Sequence, residues 1–351
     1  MNKKTISLLT AVLLSITNLL YAQGTTTNPS RIESTFMRSE FVQGREIIFA
    51  NDFSTEPIGA IPTTCNTTEG TVEIGERESQ QFLLFSNHSK INLNDQPELS
   101  DQCTIEFDFF CGSHDYDFQY TVGANNNKWG ESFQLNISTN EYRLVYRTPD
   151  DMGKASMGQL PTTMFRTNAW NHVAITYSRH MLTAYINGTS IFKVENCKQP
   201  STLWFAHNEW EQFRNNKINA ITNIVIANEI IPFDVNIEQE RRLESHSIVF
   251  ESDTLLAPQS MTDIYRLRNF MQRHSDLSVI IEQHTNGEPN DEALTTLTQR
   301  QAEIIATRLT AMGIAAERIT AKGVGTNEIL VDPHSQNSNA INKRTILIIQ
   351  Q

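Results

Sequence analysis

Two carboxylates separated by one residue, Glu106 and Asp108, have the types and spacing that could hydrolyse a glycosidic bond. They alternate with the apolar residues of the run 103–111, so both lie on one face of a predicted strand. Hydrolysis with retention needs two carboxyl groups facing each other across the bond, about 5–5.5 Å apart. Glu106 and Asp108 lie side by side on one strand, and Phe110 and Cys111, which follow them, are apolar, so this run supplies no carboxylate facing the pair. We therefore predict no catalytic residues, and we interpret the pair as the polar face of a half-buried strand.

The nine histidines and four cysteines show no metal-binding spacing. No two histidines stand four residues apart, and no Cys-x-x-Cys occurs. His172 faces away from Val173 and Ile175, which favours a structural role. The run Gly323-Val-Gly325 lacks the third glycine of a dinucleotide-binding loop and predicts a turn. We expect neither a metal nor a cofactor.

The length and charge of the chain restrict its organisation and its partners. Its 351 residues are enough for two domains with separate cores. A net charge of −12 argues against nucleic acid and anionic lipid as partners. Binding to an anionic polymer would therefore need a defined pocket rather than general electrostatic attraction.

The N-terminus has the pattern of an export signal. Lys3 and Lys4 precede an apolar stretch at residues 6–14, and Ala22 is a suitable cleavage position. We predict a signal peptide over residues 1–22, with an uncleaved anchor as the alternative, and a flexible leader over 23–44. The mature chain is expected to have no membrane-spanning segment.

Strand patterns dominate residues 45–228. In the run 103–111, Cys, Ile, Phe, Phe and Cys occupy the odd positions, which predicts a long strand with one buried face. Further on, Asn187-Gly188 separates two alternating runs. This dipeptide favours a tight hairpin, because a type I′ turn needs positive φ at both positions.

The chain changes class after this region. Residues 229–246 predict a linker, and residues 247–351 alternate between strand and helix patterns. The first predicted strand is Ser247–Ser252. Apolar residues then recur at helical spacing in two stretches: Met261, Ile264, Leu267, Phe270 and Met271, and then Leu297, Ile304, Ile305, Leu309 and Met312.

The four cysteines leave two alternatives open. Cys103 and Cys111 share one face of one strand and are about 26 Å apart, so they cannot pair with each other. Either they pair with Cys65 and Cys197, or all are buried thiols. We favour buried thiols.

Three motifs in the last hundred residues resemble one family. They are Ile280-Ile-Glu-Gln-His-Thr-Asn286, Leu297-Thr-Gln-Arg-Gln-Ala302 and Asn342-Lys-Arg344. They resemble the OmpA-like domain of Gram-negative envelope proteins, in which the second strand ends in Gly-His-Thr-Asp and the second helix carries Asn-x-x-Leu-Ser-x-x-Arg-Ala. This resemblance implies a βαβαββ fold and non-covalent binding to the diaminopimelate residue of peptidoglycan.

The charged residues of that motif are replaced in this chain. The resemblance places the ligand-binding pocket at Thr285, Asn286, Leu294, Gln301 and Arg344, where Asn286 stands for Asp, Leu294 for Asn and Gln301 for Arg. Charge-assisted hydrogen bonds contribute about 1.5–3 kcal/mol each, so losing two costs roughly 3–6 kcal/mol. Three alternatives follow: weak or altered peptidoglycan binding, a scaffold or assembly surface, or another small ligand. Arg344 is expected either to brace the strand end or to contact the ligand.

The first domain resembles the laminin-G and concanavalin-like jelly-roll families through Trp170-Asn-His-Val-Ala-Ile-Thr-Tyr177 and Tyr185-Ile-Asn-Gly188. That resemblance implies a glycan or protein ligand, and Trp129, Trp204 and Trp210 are either core residues or a binding platform. We predict an all-β jelly-roll sandwich followed by an α/β OmpA-like domain, in a periplasmic protein associated with the cell envelope or outer membrane. The alternatives are a structural assembly protein and a glycan-processing enzyme.

Overall fold

The structure is a computed structural model. It describes residues 41–86, 88–111, 118–124, 134–138, 143–147, 164–195, 197–209 and 218–351. The predicted signal peptide (1–22) and the leader up to residue 40 lie outside these ranges, as do Trp129 and Trp210. Residues of both domains belong to one compact unit.

The first domain consists of antiparallel strands. Their bounds are β1 Glu46–Asn51, β2 Cys65–Glu69, β3 Val72–Arg77, β4 Gln80–Phe85, β5 Ser89–Leu93, β6 Gln102–Cys111, β7 Phe118–Ala124, β8 Gln134–Ser138, β9 Arg143–Arg147, β10 Ala169–Ser178, β11 Met181–Ile186, β12 Thr189–Val194, β13 Leu203–Glu209 and β14 Ala220–Asn228. One sheet has the order β12-β11-β10-β6-β14-β4-β3, with β1 also paired to β14. The second sheet has the order β2-β5-β13-β7-β8-β9.

The two sheets enclose one hydrophobic core. The odd positions of β6 point into it, as the alternation predicts, and Phe107 meets Phe205 of the other sheet edge-to-face at 5.3 Å between ring centroids. The hairpin is also confirmed, because Asn187 and Gly188 have φ values of 48° and 78° between β11 and β12. The described strands thus form the predicted β-sandwich.

The expectation that β6 has a single buried face is wrong. Thr104, Glu106 and Phe110 on its other face are buried too. Part of the cover is residues 41–44, predicted as leader: Phe41 packs on Tyr185, and the Gly44 amide donates to Thr104 Oγ1 at 3.1 Å. The sequence did not reveal this cover because the covering residues are distant in the chain.

The second domain mixes helices with a four-stranded sheet. Its elements are α1 Phe233–Glu240, β15 Arg242–Ser245, α2 Met261–Arg273, β16 Ser278–His284, α3 Glu292–Ala311, β17 Ile319–Gly325, α4 Ser338–Asn342 and β18 Thr345–Gln350. The sheet order is β15-β18-β16-β17, with only β16 and β17 parallel. From β15 onwards this is the predicted βαβαββ order, with the short α4 inserted before β18.

The segment 229–246 is not a linker. It contains α1 and β15, whose Phe233, Ile237 and Leu243 are buried in the core of the second domain. The charged residues around these three apolar positions obscured their pattern. The predicted strand at 247–252 forms only an isolated bridge from Phe250 to Leu256, because β15 already occupies the sheet edge. We therefore propose that the second domain begins near residue 229.

Helix α3 lies very close to β17. A Cβ atom at Gly323 would lie 2.2 Å from the backbone nitrogen of Gln299, so only glycine fits there. The sequence predicted a turn at Gly323–Gly325, but these residues end β17 and allow the helix to approach the sheet.

The two domains contact each other at separated points. Arg166 of the sandwich is ion-paired with Glu251. At the end of β1, the Ala50 carbonyl accepts from Gln336 Nε2 at 3.2 Å. The second contact places residues just before β18 against the sandwich.

All four cysteines are buried thiols that form no disulfide, so the alternative of Cys65 and Cys197 as disulfide partners is not the arrangement in the structure. Burial raises the pKa of Cys65 to about 11, of Cys103 to about 12 and of Cys111 to about 11. Because the thiolate is the reactive form, native thiols in these positions are inert near neutral pH.

We expect the four cysteines to resist iodoacetamide at pH 8 in the native protein and to react after unfolding in urea without reductant. Mass spectrometry of the two samples checks this. A native sample two mass units lighter per cysteine pair, or one that stays unlabelled after unfolding, would show disulfides instead.

A fragment spanning residues 229–351 should be more stable than one spanning 247–351, by at least about 2 kcal/mol. The shorter fragment loses the buried side chains of α1 and β15 and exposes the edge of β18. Urea unfolding followed by circular dichroism measures the difference.

Two substitutions in the full chain provide the matched control. Ile237→Ala should cost about 2–5 kcal/mol because Ile237 is buried. Val235→Ala on the exposed face of α1 should cost less than about 0.5 kcal/mol. Equal free energies of unfolding for the two fragments would show that α1 and β15 do not belong to the core of the second domain.

Candidate functional site

The predicted ligand-binding residues gather where β16 ends. This strand is paired on both sides, with β17 and with β18. Two backbone hydrogen bonds continue the pairing past the strand: His284 N to Arg344 O at 2.9 Å and Thr285 N to Gly325 O at 3.0 Å. These bonds fix the backbone of His284 and Thr285, and Asn286 follows directly at the end of this central strand.

The amide of Asn286 is bonded to the residues that precede β18. Its Nδ2 donates to the Pro333 carbonyl at 3.1 Å and to Ser338 Oγ at 3.0 Å. Its Oδ1 accepts from Asn342 Nδ2 at 2.8 Å. Both amide hydrogens are used, and the oxygen keeps one lone pair for a further donor.

Arg344 braces the strand end. Its side chain is 2% exposed. The guanidinium donates to the carbonyl oxygens of Asn342 at 3.2 Å and Glu328 at 3.0 Å, and its Nε lies 3.7 Å from Glu244 Oε1. These contacts are those of a residue that braces the strand end, and the alternative ligand contact of Arg344 stays a prediction.

The two helix positions of the predicted site differ from each other. Leu294 is half-buried, and its Cδ1 lies against Gly287, next to Asn286. Gln301 lies two turns further along α3, about 10 Å away along the axis, and is 9% exposed. Arg300 is exposed and does not take the place of Gln301. The structure thus brings Thr285, Asn286, Leu294 and Arg344 together, with Gln301 further off and buried.

Sequence reasoning missed the partners of Asn286. Pro333 and Ser338 lie in a polar stretch that has neither helical nor strand periodicity, so no local signal identified them. Asn342 was visible only as the first residue of the closing Asn-Lys-Arg motif. The buried ring of His284 has its pKa lowered to about 4 by burial, together with the nearby Arg344 cation, so it is neutral near pH 7.

A second polar cluster lies on the outer face of the first domain. His172 of β10 stands opposite Asp108 of β6. The ring donates from Nδ1 to Asp108 Oδ1 at 2.8 Å, and Nε2 lies 3.2 Å from Glu106 Oε2. Asn223 Nδ2 donates to Asp108 Oδ2 at 2.6 Å. One imidazole therefore joins the two carboxylates that the sequence singled out.

The charge of His172 is fixed by these carboxylates. Burial alone lowers the pKa of His172, but the hydrogen bonds and charges of Asp108 and Glu106 outweigh it and raise the pKa to about 10. His172 is thus an imidazolium near neutral pH and cannot accept a proton as a general base. Phe110 and Cys111, beyond the carboxylates on β6, are both buried.

Trp204 has partners within the protein. A Cβ atom at Gly123 would lie 2.1 Å from the Trp204 ring, so the ring packs flat against that glycine. The Lys90 ammonium lies over the ring, 4.3 Å from its centroid, which is within the range of a cation–π interaction. A ligand that stacks on Trp204 would have to displace Lys90.

A cavity of about 190 Å³ includes Glu244, the partner of Arg344, in its lining. Residues 42–45 line one side, and residues of α1 and β15, with His246, line the other. None of the five predicted pocket residues lines it. Among the described residues no group of three His, Cys, Asp or Glu side chains could hold a metal, and in the same part of the chain no helix is long and apolar enough to cross a membrane.

Two family models match this chain. Residues 249–343 match the OmpA family. The matched range includes the end of β16 and helix α3, which carry the candidate site. The C-terminal domain is an OmpA-family domain. Residues 85–213 match the concanavalin A-like lectin/glucanases superfamily. Both resemblances noted in the sequence are thereby confirmed.

The chain is similar to two envelope proteins. It is 30% identical over 98 residues to outer membrane porin F of Pseudomonas fluorescens, a match covering 28% of this chain and 30% of the porin. It is 23% identical over 141 residues to the peptidoglycan-associated lipoprotein of Buchnera aphidicola, covering 40% of this chain and 79% of the lipoprotein. This chain therefore corresponds to less than a third of the length of porin F.

Among solved structures, domain 4 of the extracellular arabinanase AbnA from Geobacillus stearothermophilus, in complex with arabinotriose, is similar to this chain. The match has 13% identity and a TM-score of 0.37, and it covers 63% of this chain and 98% of that domain.

We expect His172 to make the stability of the protein depend on pH. Its folded pKa is about 10 against about 6.5 unfolded, so the ion pairs stabilise the fold fully below pH 6.5 and the stabilisation is lost as pH rises to 10. The difference is on the order of 5 kcal/mol. Urea unfolding of wild type and His172→Gln at pH 6, 8 and 10 measures it, and the gap between the two proteins should narrow as pH rises.

His334→Gln is the matched control. His334 is also paired with a glutamate, Glu288 at 3.1 Å, but its side chain is 78% exposed. This variant should follow the wild type at every pH. A gap between wild type and His172→Gln that stays constant with pH would contradict a charged His172.

Proposed function

We propose that this protein is an exported, non-catalytic binding protein of the cell envelope. Its OmpA-family domain makes a weak contact with peptidoglycan in the periplasm, and its β-sandwich binds a glycan or a protein. The observation that carries the proposal is the position of Asn286, which stands at the end of β16 where the family's charged residue stands and keeps one oxygen lone pair for a ligand.

The weakness of the contact follows from charge. A neutral hydrogen bond contributes about 0.5–1.5 kcal/mol, and one to a charged group about 1.5–3 kcal/mol. Asn286 can accept from an ammonium group only as a neutral amide. Gln301, buried on α3, offers a ligand carboxylate no cation. Peptidoglycan binding is therefore expected to be two to four orders of magnitude weaker than through a charged pair.

The relatives support the location. One carries peptidoglycan association in its name, and the other is named as an outer membrane porin. The net charge of −12 favours recognition through a defined contact over general attraction to an anionic wall.

The first domain supports a binding role over an enzymatic one. Glu106 and Asp108 are both tied to a protonated His172, and the neighbouring Phe110 and Cys111 are buried and apolar. A retaining mechanism needs a second carboxyl group facing the first across the bond. In this cluster the imidazolium occupies the space between the carboxylates.

A second candidate function, an assembly scaffold without peptidoglycan binding, is favoured by one observation. The polar groups of Asn286 and Arg344 are largely satisfied by partners within the domain. Such a network stabilises the fold whether or not a ligand is present. The experiment below separates the two functions.

Restoring the charges should restore tight binding. Asn286→Asp supplies a carboxylate at the strand end, and Gln301→Arg supplies a guanidinium on α3. We expect the double variant to bind diaminopimelate-containing sacculi at least tenfold more tightly than wild type, and by more than the two single changes combined. Sedimentation of purified full-length protein with sacculi measures this. Leu294→Asn in the double variant tests whether the apolar side chain obstructs the ligand.

The buried position of Gln301 affects the design of the experiment. Burying a guanidinium there should cost more than about 1 kcal/mol of stability. Each variant is therefore checked by circular dichroism before binding is measured. Asn290→Asp, at an exposed position near the site, controls for added charge. Wild type that binds as tightly as the double variant would refute the charge argument, and absence of binding by every variant would favour the scaffold.

A further inference from the structure

Residues 333–342, here called the bridging segment, contact both domains. On one side, Pro333 and Ser338 accept the two hydrogen bonds of Asn286 Nδ2, and Asn342 donates to its oxygen. On the other side, the segment reaches the sandwich at the end of β1. The hydrogen bonds of the Asn286 amide and one of the contacts with the sandwich therefore involve the same ten residues.

The contact with the sandwich centres on Asp52. Asn339 Nδ2 donates to Asp52 Oδ2 at 2.5 Å. A hydrogen bond to an ionised carboxylate is among the stronger ones in proteins. Gln336 adds a second contact to the same strand end through the Ala50 carbonyl. Asn339 directly follows Ser338 in α4, so a displacement of Asn339 also displaces Ser338.

Asp52 is itself held rigidly by the sandwich. Its Oδ1 accepts from the Ser54 amide at 3.0 Å and from Ser54 Oγ at 2.6 Å. Its backbone carbonyl accepts from Thr222 Oγ1 of β14 at 3.3 Å. With Oδ1 engaged, Oδ2 is the oxygen that faces Asn339. The carboxylate can thus act as a fixed anchor for the bridging segment.

We propose that Asp52 of the sandwich is a positioning residue for the ligand contact of the OmpA-family domain. Through Asn339 it holds the bridging segment against Asn286, so that both amide hydrogens are used and the oxygen is oriented towards a ligand donor. The inference rests on the proposed weak binding of peptidoglycan. Its consequence is that the first domain sets the affinity of the second without touching the ligand.

The hydrogen-bond directions allow an exchange experiment. Asn339→Asp places two carboxylates face to face and breaks the contact. Asp52→Asn weakens it, because the ionised acceptor is lost and Asn339 must turn its amide so that its oxygen accepts from the new side chain. In the double variant the donor and acceptor are exchanged: the new amide at position 52 donates to the new carboxylate at position 339. Asn339→Asp should therefore lose the contact, Asp52→Asn should weaken it, and the double variant should regain it.

Two readouts on full-length protein test the inference. The first is sedimentation with diaminopimelate-containing sacculi, where each single variant should bind three- to tenfold more weakly than wild type and the double variant should return to within twofold. The second is amide hydrogen exchange over residues 333–342 without sacculi. Exchange should accelerate in both singles and return to the wild-type rate in the double variant.

Asp234→Asn is the control for removing an aspartate charge. Asp234 is exposed and paired with Arg273, away from the bridging segment, so both readouts should remain at wild-type values. Unchanged exchange in the singles would overturn the inference, as would a double variant that behaves like the singles. Tighter binding by the singles would overturn it too, because the segment would then be an inhibitory cover.

The two proposals can fail separately. If wild type does not sediment with sacculi while the exchange pattern is as expected, the proposed peptidoglycan contact is wrong. If wild type binds but the exchange and affinity of the singles are unchanged, the contact stands and Asp52 has no positioning role.

Discussion

The side-chain amide of Asn286 makes three hydrogen bonds, and all of them go to the segment that precedes β18. A buried polar group without a partner costs about 1–3 kcal/mol. The hydrogen bonds therefore hold the amide in one orientation and hold the segment in one conformation. A carboxylate in its place could not donate to the Pro333 carbonyl. The replacement of the family's acidic residue by asparagine is therefore matched by a local network that suits an amide, and the remaining lone pair is what the site can offer a ligand.

The same requirement for partners shapes the sandwich. On its outer face the carboxylates of Glu106 and Asp108 are largely shielded from solvent. The positive charge of His172 compensates for their negative charges. Because Asn223 bonds to Asp108, and the adjacent Thr222 bonds to the Asp52 backbone, the cluster and the end of β1 share one strand, β14. The polar groups of the first domain thus stabilise the part of the sandwich against which the second domain rests.

Much of the fold could be predicted from local patterns. The alternation in β6, the Asn187-Gly188 turn and the helical spacing of α2 and α3 each depend on residues close in sequence, and the structure contains all of them. The prediction failed at α1 and β15, where few apolar residues stand among charged ones and the edge position in the sheet is decided by β18. It also failed for the second face of β6, whose cover includes residues 41–44.

The sequence by itself determined the two-domain order and the helices and later strands of the second domain, because periodicity is a local property, and its resemblance to a family identified the loss of charge at Asn286 and Gln301. It did not determine what those residues contact. The bracing role of Arg344, the burial of Gln301, the pairing of His172 with two carboxylates and the contact between Asp52 and Asn339 depend on residues far apart in the chain. Only the tertiary structure decided these, because a hydrogen bond depends on distances and directions that are fixed when separate elements pack together.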